Sequence, residues 1–232
     1  GNTAASGHGG GLYFDAAEGD IIIRNSTISG NSTAGHGGGV YVTDGCTGEL
    51  HIENSTITDN EAGSGGGVYV IDASVTEVFI ENSIIAGNTA TNVTPADSAS
   101  GNDIYSDTGT VAIDYSLIGD TVGYTASGTG NLSGDPMLGA LADNGGPTKT
   151  HLPQAGSPVI DAGDPGFAAP PSTDQRGYAR VSGGRIDMGA VESGSGALPP
   201  TGGSNGLMAT IGAGLLALGG ALHLTGRRKR TA

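Results

Sequence analysis

The chain has 232 residues, with 45 Gly, no Trp and an aromatic share of 4%, so it lacks the large side chains that fill an ordinary compact core. A hydrophobic share of 36% and a charged share of 14% also exclude a disordered acidic chain. All 23 acidic residues precede Gly202, against five basic residues there, and the resulting net charge of −18 excludes nucleic acid and anionic lipid as partners of the main body.

Cys46 is the only cysteine in the sequence, so no internal disulfide can form. This fits exported proteins that are held together by repeat stacking instead of disulfides. No His or Asn spacing points to a nucleophilic role for Cys46. The sequence opens with Gly1 and has no apolar signal segment at its front, so we expect it to be the C-terminal portion of a longer exported protein.

Three copies of one pattern follow one another from the N-terminus. They start with "GHGGGLYF" at Gly7, "GHGGGVYV" at Gly35 and "GSGGGVYV" at Gly63, which is a step of 28 residues. A degenerate fourth copy starts at Gly101, after the insertion "TATNVTPADSAS". Repeats of this length are typical of a solenoid.

Apolar residues recur in three columns of these copies. The columns are Ile21, Leu50, Val78 and Val111; Ile23, Ile52, Ile80 and Ile113; and Ile28, Ile57, Ile85 and Ile118. The first two columns stand two residues apart, which is the period of a half-buried strand. A helix would need a 3.6-residue spacing over ten or more residues, which the copies do not offer. Each copy is therefore predicted to hold about three short strands.

Strands this short cannot pair within one copy, so each must hydrogen-bond to the copies before and after it. The predicted fold is all-β: a parallel β-helix over residues 1–120, with three sheets and coils about 4.8 Å apart. Two Asn columns recur at the predicted corners: Asn25, Asn54 and Asn82, and Asn31, Asn60 and Asn88. Asn tolerates the left-handed backbone of a tight corner, and stacked amides can hydrogen-bond between coils, so we expect a structural Asn ladder.

The "GGGVY … ENSTI … N" copies resemble the repeats of right-handed parallel β-helix proteins, which include pectate-lyase-like enzymes and bacterial surface proteins. Two later blocks, "GDPMLGALADNGGPTKTHLPQAGSPVIDAGD" and "TDQRGYARVSGGRIDMGAVE", closely resemble the end of the choice-of-anchor Q domain of bacterial extracellular proteins. This resemblance implies a right-handed coil and carries no established activity. We expect residues 121–192 to form the last coil or coils and an irregular C-terminal cap that shields the open core.

The C-terminal part of the sequence has three segments in a fixed order. A linker over residues 193–206 contains "LPPTG", 19 residues without a charge follow at 207–225, and a basic tail occupies 226–232. The uncharged run is just long enough to cross a bilayer as a single transmembrane helix, and the tail would stay in the cytoplasm. The stop-transfer charges are Arg227, Arg228, Lys229 and Arg230.

This order resembles the sortase sorting signal of Gram-positive surface proteins, whose pattern is Leu-Pro-any-Thr-Gly. The motif residues here are Leu198, Pro199, Pro200, Thr201 and Gly202. The resemblance implies that sortase cuts the bond between Thr201 and Gly202 and joins the Thr carbonyl to a peptidoglycan peptide. It also implies a location in the cell wall, reached through a transient single-pass membrane intermediate. The alternative is a permanent transmembrane anchor preceded by a chance Pro/Gly linker.

Several polar residues are candidates for catalysis or metal binding. One charged column consists of Arg24, Glu53, Glu81 and Asp114. Acids that follow the repeat are typical of a solvated face, whereas a catalytic site would break the repeat once. His8 and His36 make a poor metal site without a carboxylate or thiolate partner in the pattern. The acids of "DAGDPG", residues 161–166, could hold Ca²⁺ only weakly and are expected to cap a turn, so no cofactor is expected.

We interpret the chain as an exported bacterial surface protein whose β-helix is a stalk for adhesion or for binding carbohydrate or another surface. The competing hypothesis is a polysaccharide lyase or glycoside hydrolase of the pectate-lyase-like type, with its active site in coils upstream of this sequence. Lyases use Lys and Arg to neutralise a uronate and to take a proton, and these residues are almost missing from the repeats. Their scarcity favours the stalk.

Overall fold

The computed structural model describes residues 1–71, 75–92, 101–106 and 110–194. These residues form strands, bridges and turns, and none of them is helical. Within these ranges, therefore, no helix is long and apolar enough to cross a membrane. The predicted sorting motif, uncharged segment and basic tail lie outside the described residues.

The strands repeat in groups of four, and each group is one coil. The first coil contains β1 (Thr3–Ala4), β2 (Leu12–Phe14), β3 (Ile21–Arg24) and β4 (Thr27–Ser29). The second contains β5 (Ser32–Thr33), β6 (Val40–Val42), β7 (Gly48–Glu53) and β8 (Thr56–Thr58), and the third contains β9 (Glu61–Ala62), β10 (Val68–Val70), β11 (Val75–Glu81) and β12 (Ile84–Ile85). The fourth contains β13 (Thr89–Ala90), β14 (Ile104–Ser106), β15 (Thr110–Asp114) and β16 (Leu117–Ile118). A fifth, partial coil adds β17 (Thr125–Ser127) and β18 (Leu132–Ser133).

Strands at equivalent places in successive coils pair in parallel and build four sheets. The strand orders are β1-β5-β9-β13 in sheet 1, β2-β6-β10-β14 in sheet 2, β3-β7-β11-β15-β17 in sheet 3 and β4-β8-β12-β16-β18 in sheet 4. In sheet 3, Leu50 lies opposite both Ile21 and Val78, and Val78 lies opposite Val111. The predicted parallel β-helix and the register of its apolar columns are therefore confirmed.

The predicted number of strands per coil is wrong, because each complete coil has a fourth strand in sheet 1. The strands of sheet 1 are only two residues long, and their buried side chains are those of Thr33, Ala62 and Ala90. A column of small, mixed side chains produces no hydrophobic period, so the sequence pattern does not reveal this sheet.

The core is a narrow column in which each residue packs on its equivalents in the next coil. In sheet 3, Ile52, Ile80 and Ile113 are at most 1% exposed. Val40 and Val68 contribute to the same core from sheet 2. Each buried aliphatic side chain contributes about 1.5–3 kcal/mol, so the fold gains its hydrophobic stabilisation by repetition and does not depend on large aromatic residues.

The Gly-Gly-Gly runs form the corner that precedes sheet 2. The first glycine of each run, Gly9, Gly37 or Gly65, has φ of 68°, 67° or 58°, in the region that favours glycine. The second position is restricted by space, because a Cβ on Gly38 would lie 2.6 Å from the Glu61 carbonyl oxygen. The corner therefore requires glycine for two different reasons.

Residues 121–133 complete the fifth coil over the C-terminal end of the core. Strand β17 pairs with β15, and β18 pairs with β16. Tyr124 packs against the main core cluster, and burial together with the nearby Asp103 and Asp120 carboxylates raises the pKa of this phenol to about 12. The open end is therefore covered by the last coil itself.

The flank segment, residues 134–194, lies along the outer face of sheet 4. The sequence predicts a cap over the end of the solenoid within residues 121–192. The contacts of the flank segment with the early coils correct this prediction, because they place the segment beside the coils. The Asn25 amide donates to the Thr173 carbonyl at 2.8 Å, and the Gln175 side chain accepts from the Thr27 hydroxyl at 2.6 Å. Both partners belong to the first coil, 148 residues earlier.

The physical reason for this placement is a second hydrophobic core. Ile84 and Leu117 of sheet 4 point away from the main core, and they pack with Val159 and Met188 of the flank segment. Left open, these side chains would expose an apolar strip to water. The flank segment covers the strip without regular strands of its own, through turns and isolated antiparallel bridges such as Ala142 with Thr150.

Candidate functional site

The residues for which the sequence makes its firmest functional prediction are outside the described part of the chain. These are Leu198, Pro199, Pro200, Thr201 and Gly202 of the sorting motif, with Arg227, Arg228, Lys229 and Arg230 of the tail. The candidate sites that the structure describes are the polar columns on the coils and the acids and imidazoles beside them.

The first Asn column occupies a left-handed corner between sheets 3 and 4. Asn25, Asn54 and Asn82 have φ of 48°, 47° and 48°, and Tyr115 continues the column with φ of 47°. The Asn82 side-chain oxygen accepts the Asp164 N–H at 2.7 Å. Together with the bond from Asn25 to the flank segment, this contact gives the column a second role, which is to attach the flank segment to the coils.

The second Asn column is a ladder of side-chain hydrogen bonds. Asn31 Nδ2 donates to Asn60 Oδ1 at 2.9 Å, and Asn60 Nδ2 donates to Asn88 Oδ1 at 2.9 Å. The Asn31 and Asn60 backbone N–H groups donate to the same oxygens, at 3.0 and 3.1 Å. All three residues are at most 6% exposed, and none has a positive φ. This column is therefore a hydrogen-bonding ladder, while the left-handed corner belongs to the first column.

Asp103 ends this ladder, and the sequence pattern did not reveal it. Asn88 Nδ2 donates to Asp103 Oδ1 at 2.8 Å, and the Asp120 N–H donates to Asp103 Oδ2 at 2.6 Å. A carboxylate only accepts hydrogen bonds, so it suits the end of a ladder in which every amide donates in the same direction. Burial raises the pKa of Asp103, and its hydrogen bonds with Asn88 and Asp120 oppose that rise.

A further ladder, formed by serines, lies one residue after the first Asn column. It consists of Ser26, Ser55, Ser83 and Ser116. The first three backbone N–H groups each donate to the hydroxyl of the next serine at 3.0–3.1 Å, and the Ser116 N–H donates to Asn131 Oδ1 at 3.1 Å. All four hydroxyls donate to the carbonyl two residues earlier in their own coil. The recurring Ser after the corner residue is the sequence signal that could have identified this ladder.

The charged column on sheet 3 includes one ion pair and one acid with a raised pKa. Arg24 Nε lies 2.6 Å from Glu53 Oε2. Burial, followed by the charges of Glu53 and Asp114, raises the pKa of Glu81. Glu81 and Asp114 line a shallow cavity together with Asp164 of the flank segment. Asp164 breaks the repeat at this cavity, and periodicity gives no sign of it.

The two acids of "DAGDPG" differ in their contacts. The Asp164 carboxylate accepts the Gly166 N–H at 2.8 Å, which is the contact of a carboxylate that caps a turn amide. The Asp161 backbone N–H donates to Asp187 Oδ1 at 2.7 Å, so at this residue the capping carboxylate comes from 26 residues later in the chain.

His8 and His36 belong to an aromatic stack on the outer side of sheet 2. Their ring centroids are 4.9 Å apart, and the His36 ring also stacks on Tyr69 at 4.5 Å. Tyr41 stacks between Tyr13 and Tyr69. Burial, followed by the charge of His8, lowers the pKa of His36. The two imidazoles are therefore packed as aromatic rings, and His36 favours the neutral form.

One cluster among the described residues combines an imidazole with carboxylates at ligand spacing. Asp20, Glu49 and His51 each offer one ligand atom, and these atoms lie within 4.8 Å of one another on the outer face of sheet 3. Sequence reasoning missed this cluster, because Asp20 and Glu49 are 29 positions apart and only the register of β3 and β7 brings them together.

A buried ionic network holds the end of the flank segment. The Asp174 carboxylate accepts from Arg176 Nη2 at 2.8 Å and from the Glu192 N–H at 3.0 Å. The Glu192 carboxylate accepts from the backbone of Ser182 and Asp187. Burial raises the pKa of Glu192 to about 7.

Arg180 completes the network. It is 1% exposed, donates to the Gly189 carbonyl, and has its pKa lowered by burial to about 10. The partners in this network all belong to the flank segment, although Arg180 Nε and Nη1 are buried without a hydrogen-bond partner, and we assign the network a structural role.

Comparison with known families bears on the coils. Residues 1–109 match the family model described as "Right handed beta helix region". No curated protein and no solved structure matches the chain. The matched residues cover the first three coils and the start of the fourth, so this part of the chain, whose strands form a parallel β-helix, is similar to right-handed β-helices.

Proposed function

We propose that this chain belongs to an exported bacterial surface protein that sortase attaches covalently to the peptidoglycan peptide, with the β-helix displayed as a stalk. The observation that carries the proposal is the order of the C-terminal sequence: "LPPTG", 19 uncharged residues and then "RRKR". Each part has a function in sorting. The motif is recognised, the apolar run holds the chain in the membrane, and the basic tail stops its export.

The attachment is a transpeptidation at Thr201. The sortase thiolate attacks the Thr201 carbonyl, the bond to Gly202 breaks, and the Gly202 amine leaves with a proton. An amine of the wall peptide then attacks the thioester, which restores an amide and frees the thiol. Proline favours an extended backbone at the residue before it, so the two prolines of the motif would lower the ordering cost of binding. In this step the chain is a substrate.

The β-helix supports the second half of the proposal, which is display. Sheet 3 presents an outer face in which equivalent residues repeat along the coils, as suits repeated contacts with an extended partner such as a glycan or another cell surface. A β-helix is also compatible with a pectate-lyase-like enzyme. The sorting signal, and not the fold, therefore favours a surface protein, and adhesion or carbohydrate binding is the proposed activity of the stalk.

Mass spectrometry of fragments released from the wall tests the attachment. We expect a C-terminal peptide that ends at Thr201 and is joined to a wall peptide. Thr201→Ala should leave the protein unprocessed, whereas Thr210→Ala, a matched change inside the apolar run, should be processed normally. If detergent alone extracts the unaltered protein with its basic tail present, the chain is a permanent membrane protein and the proposal is wrong.

A further inference from the structure

We propose that Asp20, Glu49 and His51 form a binding site for a divalent transition-metal cation of the Zn²⁺ class on the outer face of sheet 3. This inference is independent of the sorting signal. It depends on the register of two strands and on the chemistry of an imidazole beside two carboxylates.

The ligand atoms lie close to the spacing that one metal ion requires. His51 Nε2 lies 2.9 Å from Glu49 Oε2, and all three ligand atoms lie within 4.8 Å of one another. Two atoms that bind the same Zn²⁺ at about 2.0–2.2 Å in tetrahedral geometry are separated by about 3.4 Å. Only Asp20, which is exposed, needs a small side-chain rotation to complete the set.

The register of β3 and β7 positions these groups, with Asp20 directly before β3. Ile21 lies opposite Leu50 and Ile22 lies opposite His51, so Asp20 stands beside Glu49 at the start of the strands. Glu49 and His51 are two residues apart on β7, and their side chains therefore leave the same face of the sheet. Asp20 Oδ1 accepts the Glu49 N–H at 3.1 Å, and its other oxygen is available to an ion.

The His51 ring is fixed by an apolar neighbour that uses neither ring nitrogen. It stacks on Phe79 of the next coil, with the ring centroids 4.9 Å apart and an angle of 12° between the planes. A preoriented imidazole loses little freedom when it binds a metal. The side chains of His51 and Glu49 remain 25% and 39% exposed, so an ion can reach them from solvent.

The site occurs once, where the first coil meets the second, which separates it from the acids that follow the repeat. In the third coil, Phe79 takes the place of His51, while Glu77 takes the place of Glu49. A solvated face needs no histidine in one coil alone. Glu77 adds negative charge beside the site, and Arg24, a cation on the same face, is already paired with Glu53. The local potential therefore favours a dication.

The donor set selects the metal. An imidazole suits Zn²⁺ and its neighbours in the first transition row, whereas Ca²⁺ and Mg²⁺ prefer oxygen ligands alone. Three protein ligands leave at least one position for water or for a donor from another molecule.

Titration of the full chain in mild detergent with ZnCl₂, followed by calorimetry, tests the site. We expect saturable binding, weakened more than about tenfold in both His51→Gln and Glu49→Gln. CoCl₂ should give visible absorption bands that both variants lose. His8→Gln, which removes another exposed imidazole, is the matched control and should retain the binding and the bands. CaCl₂ should not compete at equal concentration.

Two results would overturn the proposal. One is the absence of saturable Zn²⁺ binding by the unaltered chain. The other is equal Zn²⁺ affinity of the unaltered chain and of His51→Gln, which would place the ion elsewhere. Circular dichroism of the metal-free variants serves as the check on folding, since both substitutions replace partly exposed side chains and should leave the β-helix intact.

Discussion

The Asn ladder can be tested by removing its central amide in Asn60→Ala. Asn60 Oδ1 accepts two hydrogen bonds from Asn31, and Asn60 Nδ2 lies within hydrogen-bond distance of the Ile28 and Thr58 carbonyls and of Asn88 Oδ1. Asn60 is 1% exposed, so water cannot replace it in the folded coil. Alanine would therefore leave two buried donors of Asn31 without an acceptor.

The size of the effect follows from these contacts. A buried donor without a partner costs about 1–3 kcal/mol, and Asn31 would have two of them. The acceptors that lose a shared donor add less, because a carbonyl can keep its other bonds. We expect the free energy of unfolding to fall by about 3–5 kcal/mol, a large share of the roughly 5–15 kcal/mol that holds a typical domain.

Urea denaturation followed by circular dichroism measures this loss, and the ladder itself provides the control. Asn2 donates to Asn31 at the exposed end of the same ladder, at 2.9 and 3.1 Å, and its side chain is accessible to water. Asn2→Ala should cost less than about 1 kcal/mol. If Asn60→Ala costs no more than Asn2→Ala, the amides do not hold this corner together and the reasoning fails.

Two further predictions concern the left-handed corner and the flank segment. Asn54→Gly should leave the free energy of unfolding within about 0.5 kcal/mol of the unaltered chain, because glycine adopts φ of 47° freely. Asn54→Ala should lower the free energy of unfolding by about 1–2 kcal/mol. Equal effects of the two changes in urea denaturation would contradict a backbone origin. For Glu192, whose pKa burial raises to about 7, the folded state holds the proton more tightly than the unfolded state, where the pKa is about 4.5. Its stabilising contribution is full below about pH 4.5 and is lost as the pH rises to about 7, by at most about 3 kcal/mol. Glu192→Gln should flatten the pH dependence of the unfolding free energy over that range, whereas Glu61→Gln, which changes an exposed acid, should not. An unchanged slope in Glu192→Gln would contradict the assignment.

The sequence predicted the part of the fold that repeats. Residues such as Ile52 and Ile80 recur at coil spacing because both must fill the same position in the core, so the apolar columns gave the register of sheet 3 residue by residue. The same logic failed for sheet 1, whose two-residue strands bury Ala62 and Thr33 and leave no column of large side chains. Periodicity detects an element only when the element buries enough apolar surface to constrain the sequence.

The contacts that do not repeat could not be predicted in this way. Thr27 and Gln175 are 148 residues apart and occur once, so no column links them. The metal-site proposal has the same character, because His51 interrupts its column between Ile22 and Phe79. Periodicity therefore predicts structural features well, whereas the candidate site lies where one coil departs from its neighbours.

The course of the flank segment determines how the protein would carry tension. The Ala190 N–H donates to the Thr56 hydroxyl, so the described chain ends beside the second coil and not beyond the fifth. A force that pulls on the chain after residue 194 would first load the flank segment, whose bonds to sheet 4 lie side by side along the coils. Such bonds resist in shear, many at once, whereas coils pulled from the end of the stack would peel apart one after another. The flank segment would thus act as a mechanical fastening for the stack.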